Sequence, residues 1–441
     1  MAGGTFTDKN KKRPGAYINF KGAARPLTSV GTRGIASMPL SLPWGEENTL
    51  ISVTAAELAD GRSLTKTGFT AADGNIFLNS CLKNCYKLLV WRVNSGGTKA
   101  AATSGGLTVT ARHFGSLGNG ITVVVKANGT GFDVMTYLNG DLKDKQSRVG
   151  DIAGLKANDW VSFSGTGTLT ATAGTALSGG TDGTVTASAF APYFAVLKGE
   201  QFNTFGIPFA TPDVGEAAEL FIKSMRENTG KYIQGVVAGY DSDYEGIIKI
   251  KTNQGYKTET ETVDAAGLVA LVTGMTAGAR INQSNVYRKI DGAVSIIGEL
   301  TEEDDINDAL DFGWLILTRR SDGTVVIEDD INSLHTFTPE RPKDFSSNRV
   351  IRVLDEIGNT CKTVFEESYI GKVTNNDIGR SLYKGDLIEY CKKLQGMEAL
   401  EGFDGANDIE VLASDKDGVT VNAGVQPTDC MKKLYATFNV R

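Results

Sequence analysis

The side chains that most often do chemistry are few and scattered in this sequence. It has two histidines, His113 and His335, and neither stands at metal spacing from another ligand or beside a nucleophile. Both are expected to be structural. Of five cysteines, Cys81 and Cys85 lie i, i+4 on one face of a predicted helix, while Cys361, Cys391 and Cys430 stand apart. A zinc site needs a second close pair, so buried, reduced thiols are expected. No Gly-x-Ser-x-Gly elbow and no Gly-x-x-x-x-Gly-Lys-Ser/Thr phosphate loop occurs. Gly115, Gly118 and Gly120 precede a predicted strand, not a helix, so their spacing reads as a turn. Two acidic runs remain. Glu302, Glu303, Asp304 and Asp305 suit the first turn of a helix. Glu328, Asp329 and Asp330 end a strand and read as a solvated turn; neither run has the glycine and glutamate of a calcium loop. The expectation is a protein without catalytic residues, cofactor or metal, and so not an enzyme.

Composition agrees with a folded, multi-domain chain. At 441 residues, 41% apolar and 22% charged, there is material for about three cores. Glycine is the outlier at 52 residues, about 12% against a usual share of roughly 7%. The formal charge of −7 lacks the basic footprint of a nucleic-acid binder. The first fifteen residues have no apolar core of a secretory signal, and no apolar run is long enough to span a bilayer. No nucleic-acid partner and no membrane binding are expected.

Periodicity supplies the elements. Residues 1–20 read as a basic arm followed by a short strand in which Ala16, Ile18 and Phe20 alternate with Tyr17 and Asn19. Residues 21–95 mix helix and strand: 35–40 and 88–91 are strand-like, and Thr54 with Glu57 is a capping box. Residues 96–185 hold 18 Gly and 14 Thr in 90 positions, with short alternating runs at 107–110, 121–125 and 133–137. That predicts an antiparallel β-sandwich or barrel inserted into an α/β host. Helix–strand alternation resumes over 186–338, where Pro212 opens a helix closed by Gly230. Residues 339–441 predict two helices, near 346–369 and 378–394, then strands. On the first helix Val350, Leu354, Ile357, Cys361, Val364 and Phe365 form the expected apolar face. The fold class is thus multi-domain α/β or α+β with an inserted Gly/Thr-rich β domain and a C-terminal α/β unit.

Both extremities read as strands. In the last run Leu434, Ala436, Phe438 and Val440 alternate with Tyr435, Thr437 and Asn439. A strand's unpaired amides and carbonyls must find a sheet, either in the same subunit or in another copy. The pattern alone leaves both open.

Several segments resemble the phage tail sheath family, in particular sheaths of contractile tails of Gram-positive phages and phage-tail-like particles. Arg13, Pro14, Gly15, Tyr17 and Ile18 are similar to its Pro-Gly-x-Tyr opening. Ala111, Gly115, Gly118, Asn119, Ile121 and Val123 resemble a segment of its inserted β domain, and Leu177, Gly179, Gly180, Asp182 and Gly183 the segment that leaves it. Asn348, Arg349, Arg352, Leu354 and Asp355, then Tyr369, Gly371, Asn375 and Arg380, resemble its C-terminal domain. The resemblance implies a structural subunit that forms stacked hexameric rings around an inner tube and contracts to drive the tube through a cell envelope. It implies copies of itself, a tail tube protein, a baseplate and a tail terminator as partners, and no cofactor. It also implies that Ala16, Tyr17, Ile18, Asn19 and Phe20, and Leu434, Tyr435, Ala436, Thr437, Phe438, Asn439 and Val440, are strands exchanged between subunits. Lys384, Lys392 and Lys393 are candidates to face the tube. Assembly is expected in the bacterial cytoplasm. The other reading is a virion-associated adhesin that binds its receptor through the β insert.

Overall fold

The computed structural model describes residues 2–4, 15–17 and 33–440. At its centre lies a seven-stranded sheet in the order Trp314–Leu315, Ile247–Ile250, Gln234–Ala238, Thr204–Ile207, Ile35–Leu40, Lys87–Arg92, Leu50–Thr54. All neighbours are parallel except the last pair, where Leu50–Thr54 runs antiparallel to Lys87–Arg92. A parallel sheet must be covered on both faces, and its inner strands are buried except at Ile35 and Lys87, where two of them begin. One face carries the helices Phe190–Leu197 and Pro212–Lys223, with Tyr193, Phe194, Phe205 and Phe221 in a shared aromatic cluster. The other face carries Ala265–Gly278, a helix buried along nearly its whole length because Ile76–Leu82 covers its far side. Gly274 permits that packing: a Cβ there would sit 2.4 Å from the Cys81 carbonyl oxygen. Cys81 and Cys85 are buried beside it as free thiols, Sγ to Sγ 3.7 Å.

The glycine- and threonine-rich segment leaves the host through a two-stranded stem, Asn94–Ser95 paired with Thr184–Val185. Beyond the stem stand a four-stranded and a three-stranded sheet that share one apolar core, including Val109, Ile121, Val123, Val134 and Val161. Alternating burial along Leu107–Ala111 and Ile121–Asn128 is the period-two signature of a sandwich. The insert is seated on the host by Arg92, whose guanidinium donates to the carbonyls of Gly45 (2.8 Å) and Phe114 (3.1 Å). Gly115 makes that seat possible: its φ is +132°, and a Cβ there would lie 1.8 Å from the Pro43 carbonyl oxygen.

The C-terminal unit comprises the helices Asn348–Ser368 and Asp377–Gly396 and the hairpin Ile409–Ala413 with Val419–Ala423. Tyr383, Leu387, Tyr390 and Leu394 of the second helix form its core with Val353 and Val364. Trp314–Leu315 joins the central sheet, and Leu317–Arg319 pairs with Val325–Ile327 in a separate hairpin. One expectation changes here. The first helix does not bury a simple apolar stripe. Leu354, Ile357 and Cys361 are half-buried, while Arg352, Asp355 and Glu356 are buried against the central unit and Arg349 is buried within the C-terminal unit. Residues 431–440 form no strand within the described chain.

Candidate assembly interface

Among the described residues no three His, Cys, Asp or Glu side chains gather as a metal site, and no helix is long and apolar enough to cross a membrane. His113 stacks edge-on against Trp44 at 5.0 Å in the seat of the insert. Burial, helped by Arg112 and Lys99, lowers its pKa to about 4. His335 Nδ1 lies 2.8 Å from the Ser333 carbonyl oxygen. Both imidazoles have structural surroundings.

The unusual surface is the C-terminal segment. Leu434, Tyr435 and Phe438 are each 89% exposed and Val440 is 96% exposed. Scattered single apolar side chains are ordinary on a surface, but a run of them in backbone that joins no ladder is not. Ala436, Thr437 and Asn439 are exposed with them. At the other extremity Gly15–Tyr17 forms a short parallel ladder with Ala2–Gly4, so Ala16 and Tyr17 lie on a strand. Ile18, Asn19 and Phe20 lie outside the described residues.

The hairpin Ile409–Ala413/Val419–Ala423 is a sheet of only two strands, and its outward side chains, Leu412 and Val421 among them, are exposed. A lone two-stranded ribbon is marginal in water and gains from added strands. Beside it the start of the second helix and the end of the first enclose a pocket of about 460 Å³ lined by Phe365, Tyr369, Val373, Tyr383 and Val419. On the second helix Lys392 and Lys393 are exposed and Lys384 is half-exposed. At 100° per residue the three spread over about half the helix circumference, so they do not form one compact patch.

The C-terminal unit meets the central unit through buried charge. Arg226 contacts Asp355 at 2.8 and 2.7 Å and donates to the Ile233 carbonyl. Burial pulls the guanidinium's pKa down, but Asp355 outweighs it and raises the Arg226 pKa above the ordinary value. Arg352 lies 3.7 Å from Asp330, and Arg33 lies 3.9 Å from Glu356. Asp330 corrects the expectation of a solvated turn at 328–330. It is 1% exposed and accepts from the Asn285 amide (2.9 Å) and from Asn348 Nδ2 (3.0 Å). Three adjacent acids look like solvent-facing residues in sequence. The buried partners of Asp330 come from segments 45 and 18 positions away, a pairing that no local pattern announces.

Family models match this architecture from residue 95 onward: the phage tail sheath β-sandwich domain over residues 95–182, the central domain over 183–333 and the C-terminal domain over 340–441. The chain is 34% identical to the phage-like element PBSX protein XkdK of Bacillus subtilis, across 100% of this chain and 99% of that one. This protein belongs to the phage tail sheath family. The crystal structure of the sheath tail protein from Desulfitobacterium hafniense superposes with a TM-score of 0.84 at 41% identity, covering 96% of this chain and 99% of that one. The helical sheath of the anti-feeding prophage in its contracted state shares the fold, with a TM-score of 0.57 at 11% identity over 97% and 99% of the two chains. The sheath subunit described here is therefore a structural protein of a phage or phage-like tail.

Proposed function

We propose that this subunit polymerises around a tail tube as stacked hexameric rings, linked by strands exchanged between copies, and contracts by subunit rearrangement to drive the tube through an envelope. One observation carries the reading: residues 434–440 hold alternating apolar side chains almost fully exposed, with no ladder partner among the described residues. Pairing such a segment with another copy's sheet satisfies its amides and carbonyls and removes its side chains from water. The two-stranded C-terminal hairpin, with open edges and a neighbouring apolar pocket, is the acceptor that the fold offers. Residues 16–20 are the second donor in this reading. Main-chain ladders are indifferent to side-chain identity, so they hold neighbours together while rigid units rotate against one another. The related anti-feeding prophage sheath is known in a contracted helical state, which fits a subunit that changes its packing without changing its fold.

Lys392, with Lys384 or Lys393 at its flank, is proposed to meet the tube protein; the baseplate and terminator bound the polymer at its two ends. Charge reversal at Lys392 is expected to weaken tube-templated assembly and to flatten its salt dependence, and an unchanged salt profile would remove this contact from the scheme.

The exchange is tested by deleting residues 433–441, and separately 1–20, from the full chain. Each truncated subunit is expected to melt as a folded monomer yet to give no hollow cylinders in negative-stain micrographs. Cylinders of normal length from either would refute exchange through that strand.

A further inference from the structure

The exposed segment does not hang loosely from its domain. Pro427 bridges to Leu400, and the Thr428 amide donates to the Ala399 carbonyl at 3.1 Å. The Thr428 hydroxyl donates to the Glu398 carbonyl and accepts from Arg349 Nη2 at 2.8 Å. Four residues on, Lys432 makes one more attachment, and it reaches across to the central unit. Its Nζ donates to Asp329 Oδ1 at 2.8 Å and lies 3.5 Å from Asp429. Asp329 Oδ1 also accepts the Asp330 amide at 2.7 Å. The Asp330 main chain and side chain then hold the start of the long C-terminal helix, through the Asn348 amide (2.9 Å) and Asn348 Nδ2 (3.0 Å). One oxygen therefore joins the root of the exposed segment to the place where the two units meet.

We propose that the Lys432–Asp329 pair is a clasp that sets the point at which the C-terminal segment leaves the subunit and ties that point to the joint between the central and C-terminal units. This inference rests on the reading that 433–440 pairs with another copy. With the clasp closed, the eight residues 433–440 can reach about 26 Å. With it open, the next holds are Cys430, whose thiol bonds with Ser284, and Thr428, so two to four more residues add about 7–13 Å of slack. Slack dilutes the donor strand at its acceptor by up to about twofold, because effective concentration falls roughly as the −3/2 power of length. The clasp also sets direction. Pull on the segment is delivered to Asp329, and so to the joint, instead of to the hairpin side of the domain.

The test uses the full chain and three variants. K432M removes the cation. D329N removes the charge while keeping an acceptor for the Asp330 amide, and K432R keeps the cation. K432M and D329N are expected to melt like the wild type, to raise the critical concentration for polymerisation by up to about twofold, and to speed amide exchange at 429–432 in the unpolymerised subunit. K432R is expected to match the wild type in both. Wild-type exchange at 429–432 in K432M, or an unchanged critical concentration, overturns the clasp. The 433–441 deletion separates the two ideas: if it polymerises normally the exchange reading fails and takes the clasp with it, whereas if it fails to polymerise while K432M is indistinguishable from wild type, the clasp alone is wrong.

Discussion

The C-terminal unit inverts the usual placement of side chains twice. Where it meets the central unit, charge lies inside: Arg226, Arg352, Asp330, Asp355 and Glu356 are buried. At residues 434–440, apolar side chains lie outside. The first inversion is resolved within the subunit, because each buried charge named here faces an opposite one across the joint. The second is not resolved within the described chain. A self-contained inversion is a rigid joint, and an unresolved one is a request for a partner. Substitutions at the joint should therefore cost folding stability first, and substitutions in the exposed segment should cost assembly alone.

The largest effect on stability is expected at Asp355. Removing it leaves Arg226 buried without its carboxylate, a loss of about 3–5 kcal/mol when one member of a buried pair is deleted. Chemical denaturation of D355A should show that loss, and the double variant R226M/D355L should recover most of it, since well-packed apolar replacements of buried pairs are often near neutral. If both variants lose the same amount, the joint is held by shape and not by charge.

A middle-sized effect is expected at the seat of the insert. His113 is neutral in the folded subunit because burial, with Arg112 beside it, brings its pKa to about 4 from an ordinary 6.5. The unfolded chain takes up the proton first as pH falls. Stability contributed by the neutral ring is thus fully present above about pH 6.5 and drains away between there and pH 4. Melting temperature followed across that window should fall less steeply in H113F than in the wild type. Parallel slopes would place the acid sensitivity elsewhere.

The smallest effect on stability belongs to the exposed segment, and it sharpens the contrast most. F438S changes a side chain that is 89% exposed and should shift folding stability by no more than about 0.5 kcal/mol. Polymer yield should nevertheless drop severalfold. A stable, normally assembling F438S would mean that this side chain enters no interface.

Local patterns in the sequence carried much of this architecture. The capping box at Thr54 and Glu57 is present, with Thr54 N to Glu57 Oε2 2.9 Å and Glu57 N to Thr54 Oγ1 3.2 Å, because both bonds close within three residues. The 35–40 strand and the glycine- and threonine-rich sandwich were legible for the same reason: strand alternation and turn glycines are near-neighbour signals. The apolar alternation of 434–440 was equally legible as a strand pattern, and the fold adds that it has no partner among the described residues. The three-dimensional arrangement alone decided which charges are interior. Asp330 among three acids, Asp355 on a helix read as apolar elsewhere, and Asp329 beneath Lys432 become distinctive only when residues 18 to 129 positions apart are brought together. A lone carboxylate costs too much to bury, so its burial is decided by the partner that folding delivers, and no spacing within its own segment encodes that partner.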